Sequence, residues 1–121
     1  MQLVTSWIQS REVGTIILSY GEVNEYILGR PDYGALHIRL LDLLNGMTVY
    51  FLTYQIMRRY ADIRRLPRPT NDLIGDLDTL IAATALENNL TVVTTDGDFQ
   101  RVPGLNVTLV PRSQLARRAT R

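Results

Sequence analysis

The chain has 121 residues, 45% of them hydrophobic, which suits one compact domain with a real core. It has no cysteine and a single histidine, His37, which excludes disulfides, thiolate–zinc centres and multi-histidine metal sites; a metal would have to be held by oxygen, as Mg, Mn or Ca is. The formal charge is only +1, but all 13 basic residues are arginine, five of them in "RRYADIRRLPR" (58–68) and four more between Arg112 and Arg121.

Residues 3 to 10 read as the end of a short helix. "VGTIIL" (13–18) is a β-branched apolar run and is predicted to be a buried strand. Ser19 then stands as an N-cap, with Glu22 three residues later completing a capping box. Tyr20, Val23 and Ile27 follow at helical spacing, and "GRP" ends that helix. Leu36, Leu40, Leu43 and Leu44 mark a second helix, and "MTVYFL" (47–52) a second strand. Thr53 is placed to cap a third helix with Ile56, Tyr60 and Ile63 on its inner face.

"LPRPTNDLIGD" (66–76) holds two prolines and a glycine and is predicted to be a loop. "DTLIAATALEN" (78–88) is the clearest helix, and its alanines, Ala82, Ala83 and Ala85, allow close approach to a sheet. "LTVVTT" (90–95) reads as a buried strand, "FQRVPGL" as a short helical or irregular link, and "NVTLV" (106–110) as a last strand. Trp7 is expected in the core or an interface, His37 facing solvent, and Phe99 plugging its loop onto the core. Tyr20 and Tyr26 are candidates for a dimer seam. Strands that are apolar throughout and separated by helices argue for an α/β fold with a parallel sheet. A single domain over residues 1–110 with an Arg-rich tail, 111–121, is expected. No apolar run approaches a membrane span. The start lacks the pattern of a signal peptide. A cytoplasmic protein without membrane contact follows as the default.

The acids fall where a parallel sheet gathers ligands, beyond the carboxyl ends of its strands. Glu22 follows the first strand. Asp96 and Asp98 follow "LTVVTT", and Asp76 and Asp78 open the helix leading into it. Each has an ordinary role available: Glu22 in its capping box, Asp78 as N-cap, Asp76 with the helix dipole, Asp96 in a turn with Gly97. Their joint placement is what points further. Clustered carboxylates repel one another unless a cation or protons neutralise them. Oxygen donors of this kind suit Mg or Mn, and such an ion can activate water against a phosphodiester.

"SYGEVNEYILG", "DTLIAATALENNLTVVTTDGDFQRVPGL" and their spacing resemble PIN-domain proteins, specifically the VapC toxins of toxin–antitoxin pairs, over about residues 11 to 110. The resemblance implies a Mg- or Mn-dependent endoribonuclease on a three-layer α/β/α sandwich with a mainly parallel central sheet. It also implies RNA as substrate, a VapB-like antitoxin as partner, and a homodimer. The family's acids map onto Glu22, Asp78 and Asp96 as catalytic and metal-holding residues, with Asp98 as the accessory or alternate acid of the same turn. Thr94 or Thr95 matches a supporting hydroxyl, and Asp76 is a further supporting residue without a firm counterpart. Arg64, Arg65 and Arg68 are candidates for RNA phosphate contacts, although a solvated helix face explains them nearly as well.

Family members begin with a short apolar strand ending in an aspartate, the first metal ligand, and nothing like it precedes "MQLVTSWIQS". The chain reads as starting inside the helices that follow that strand, as a truncated or degenerate copy. This supports a rival reading: a catalytically impaired PIN-like protein that binds a partner or dimerises. A phosphoryl-accepting receiver module is set aside, because it needs a lysine and the chain has none.

Overall fold

The computed structural model describes residues 14–67 and 74–111. The expected helix over residues 3–10 with Trp7, most of the 66–76 loop including Arg68, and the arginine-rich tail lie outside the described residues. The chain gathers into two compact units, one within Met1–Phe51 and one within Leu52–Arg121.

The first unit contains β1 (Gly14–Ile16), α1 (Ile17–Ile27), α2 (Tyr33–Asn45) and β2 (Thr48–Tyr50). β1 and β2 pair in parallel, Gly14 opposite Thr48 and Ile16 opposite Tyr50. The strand expected over 13–18 is shorter, because Ile17 and Leu18 already belong to α1. β-propensity describes a fit to a sheet surface, and three residues already match the three of β2. α1 is therefore preceded by extended Ile16 as N-cap, with no side-chain bond. Ser19 lies inside its first turn, and the expected Ser19–Glu22 capping box does not form. Gly14 is needed for a close approach: a Cβ there would stand 2.6 Å from the Tyr50 ring and 3.0 Å from the Thr48 carbonyl oxygen.

α1 and α2 are joined by two rungs of side chains. The Tyr20 hydroxyl lies 2.9 Å from His37 Nε2, and the Tyr33 hydroxyl donates to Asn24 Oδ1 at 2.9 Å. The Tyr33 ring also stacks on His37, with centroids 5.3 Å apart and planes 19° from parallel. His37 is thus half-buried rather than facing solvent. Tyr20 and Asn24 lie one turn apart on α1, as do Tyr33 and His37 on α2, so the two pairs meet across the hairpin.

The second unit contains α3 (Tyr54–Arg64), α4 (Asp76–Glu87), β3 (Thr91–Thr94), a 3-10 helix (Gly97–Arg101) and β4 (Asn106–Leu109). Thr53 caps α3 as expected, its Oγ1 accepting from the Ile56 N–H at 3.1 Å. Ile56 and Ile63 turn inward, and α3 packs on α4. α4 begins two residues before the expected start: Gly75 is its N-cap, so Asp78 is not, and both Asp76 and Asp78 lie in its first turn. Ala82, Ala83 and Ala85 are buried, which brings α4 close to its neighbours. The buried hydroxyls of Thr79 and Thr84 are satisfied within the helix, donating to the Gly75 and Leu80 carbonyls at 2.8 Å.

α4 ends in a left-handed residue, Asn89 at φ 55°, and the Leu90 N–H returns to the Ala85 carbonyl at 2.8 Å. β3 then pairs in parallel with β4, Thr91 opposite Asn106 and Thr94 opposite Leu109. Ile56, Ile63, Ile74, Val92, Phe99 and Val102 form the apolar core with the three alanines. The class is α/β and the strands pair in parallel, as expected. Among the described residues β1 pairs with β2 and β3 with β4.

Candidate functional site

The site is built on two turns of the second unit. The first is the segment leaving β3. Thr94 Oγ1 accepts from the Asp96 N–H at 3.0 Å, folding the chain back as the strand ends. Asp96 Oδ1 accepts from the Asp98 N–H at 2.9 Å and so caps the 3-10 helix. Phe99 follows, 5% exposed, and anchors the turn in the core as expected. Arg101 Nε lies 3.7 Å from Asp98 Oδ1. That pair was missed in the sequence, although an i, i+3 spacing in a helical link was its signal.

The second turn is the start of α4. Asp78 is half-buried there, and its carboxyl is pushed above the usual carboxylate range. Burial is the main cause, followed by the negative charges of Asp96 and then Asp98. Two of the acids expected to share a site with Asp78 therefore act on it. Asp76 takes a different direction: Tyr60 donates to its Oδ1 at 3.3 Å, and Arg64 lies 3.5 Å from the same oxygen. It fastens the first turn of α4 to α3.

Of the remaining nominated residues, Thr95 is half-buried beside Asp96, and Arg65 is exposed at the end of α3. Glu22 is exposed in the second turn of α1, within the first unit.

Chemically, this is a place where a proton or a cation is favoured. The donors are carboxylate oxygens, which suit a hard divalent ion in kind. The only imidazole of the chain is engaged with Tyr20 in the first unit. Among the described residues, no three His, Asp or Glu side chains are gathered into a group that could hold a metal as they stand. No helix there is long and apolar enough to cross a membrane.

The sequence model of the PIN domain family matches residues 3–105. The chain belongs to the PIN-domain family. The resemblance read from the sequence is borne out, and PIN domains are in general dependent on divalent metals. No curated protein matches the chain significantly. Among solved structures, this PIN-domain chain is similar to a chain of VapBC2 from Rickettsia felis, bound to a DNA fragment from their promoter. The two share 21% identity and a TM-score of 0.70, over 79% of this chain and 73% of that one. It is also similar to PAE2754 from Pyrobaculum aerophilum, with 22% identity and a TM-score of 0.56, over 95% of this chain and 84% of that one. These likenesses concern the fold.

Proposed function

We propose that this PIN-domain protein is a VapC-like toxin, a Mg- or Mn-dependent endoribonuclease that hydrolyses RNA phosphodiester bonds. A VapB-like antitoxin is its partner, and the working form is a homodimer. The observation that carries the reading is Asp78 confronted by Asp96 and Asp98 beyond the end of a parallel strand, in a chain of this family. Asp78 and Asp96 would hold the ion, with Asp98 as the accessory acid. When bound, Mg or Mn supplies positive charge against the scissile phosphate and a more acidic water. The protein's own part is to keep the carboxylates in place. Thr94 sets the turn, the Asp98 N–H orients Asp96, Arg101 braces Asp98, and Tyr60 with Arg64 fastens the start of α4. Glu22 enters through the family resemblance alone.

The test is cleavage of a mixed RNA pool by the purified chain with and without Mg. Asp78→Asn is expected to abolish Mg-dependent cleavage, and Glu22→Gln to reduce it; undiminished cleavage by Asp78→Asn ends the assignment. The second reading, a non-catalytic binding or dimerising module, is favoured by one observation: among the described residues no three acids form a ready cage. Calorimetric titration with Mn separates the two. Saturable binding that depends on Asp78 and Asp96 belongs to the nuclease, and its absence to the module.

A further inference from the structure

α3 and its C-cap carry four arginines over Arg58–Arg65, and the structure sorts them into two kinds. Ile56, Tyr60 and Ile63 form the inner face of the helix. Arg59 and Arg64 stand at the margins of that face, and each reaches an opposite end of the antiparallel α4: Arg59 Nε lies 2.8 Å from Glu87 Oε2, and Arg64 3.5 Å from Asp76 Oδ1. Arg58 and Arg65 are different. They are exposed, and among the described residues their side chains make no ion pair or hydrogen bond. With Tyr54 and Ala61 they follow the spacing i, i+4, i+7, i+11, which is a single stripe opposite the core face. Tyr54 heads it with 89% of its surface in solvent.

We propose that this outer stripe of α3, Tyr54–Arg58–Arg65, is a docking surface for single-stranded RNA. It deepens the ribonuclease reading and rests on it for the choice of nucleic acid. The chemistry is complementary at each position. Two guanidinium forks that meet no partner among the described residues suit phosphate oxygens. A tyrosine ring standing in water at one end suits the face of an unpaired base. The stripe is about 16 Å long, enough for a short stretch of strand. The small side chain of Ala61 leaves its middle open. Asp62, exposed beside it, opposes phosphate.

The test is fluorescence anisotropy of a labelled single-stranded RNA oligonucleotide with the full chain in EDTA, where cleavage does not intervene. The Arg58→Gln, Arg65→Gln double variant is expected to bind about tenfold or more weakly. The slope of log K against log salt should flatten by about 1.4, roughly 0.7 for each phosphate that is no longer neutralised. Tyr54→Ala is expected to weaken binding about 5- to 100-fold while Tyr54→Phe does not, because stacking needs the ring and not the hydroxyl. Asp62→Asn is expected to tighten it. All these side chains are exposed, so melting temperatures of the variants should match the parent and separate binding from folding. Absence of RNA binding, variant affinities within twofold of the parent, or equal affinity for duplex DNA would each overturn the proposal. A chain that binds RNA through the stripe but cuts none sustains it and removes only the ribonuclease reading.

Discussion

Asp78 carries a cost that can be measured. Its carboxyl is raised above the ordinary value of 3.8, by burial first and by Asp96 and Asp98 second. The folded chain therefore holds that proton more tightly than the unfolded chain does. Between 3.8 and the raised value the native state binds more protons, so this contribution to stability is present at low pH and is lost as pH rises through the window. Asp78→Asn removes the charge. Without divalent ions the variant is expected to be more stable than the parent at pH 7, and the advantage should shrink as pH falls through that window. Denaturant midpoints across pH measure this; a variant less stable than its parent at pH 7 would contradict the repulsion. One substitution thus separates two expected effects: loss of the proposed Mg-dependent cleavage and a gain in the stability of the fold. Asp76, two residues away, should behave in the opposite sense at neutral pH, because its neighbours are Tyr60 and Arg64 rather than other acids. That pairing is exposed, so Asp76→Ala should cost no more than about 1 kcal/mol.

Helix ends decide where these side chains stand. Thr53 holds the start of α3 through one bond to Ile56, and Thr53→Ala is expected to cost about 1 kcal/mol in chemical denaturation. α4 is stopped by Asn89 in the left-handed region. Asn89→Ala should cost about 1 kcal/mol there and Asn89→Gly almost nothing, since only glycine takes that conformation without strain from a Cβ. Equal losses for the two variants would show that the left-handed turn is not what ends α4. Thr53 was legible because a cap is local: a hydroxyl just ahead of an apolar period. The starts of α1 and α4 were not. Ser19 and Asp78 both looked like caps, yet Ile16 and Gly75 hold those positions. A cap residue is only a preference. The competing boundaries were set by the three-residue pairing of β1 with β2 and by Thr79, whose hydroxyl returns to the Gly75 carbonyl.

At the scale of the whole chain, a divalent ion that binds only the folded state must raise stability by mass action. At a hundredfold excess over its dissociation constant the gain is about 2.7 kcal/mol. Addition of Mn is expected to raise the melting temperature of the parent and to leave Asp78→Asn unmoved; equal shifts in both would place the ion elsewhere. Sequence alone determined the family, the α/β class, the order of helices and strands, and the acidic turn after β3. It could do so because apolar periods, Gly-containing turns and the run "DTLIAATALENNLTVVTTDGDF" are local features that survive without knowledge of neighbours. Tertiary structure decided what those residues meet. It placed His37 between two tyrosines, set Arg59 and Arg64 against α4 while leaving Arg58 and Arg65 outward, and aligned Asp78 with Asp96 and Asp98. Those outcomes depend on meetings between residues far apart in the chain, and a charge or a ring carries no sign in the sequence of which distant partner will reach it.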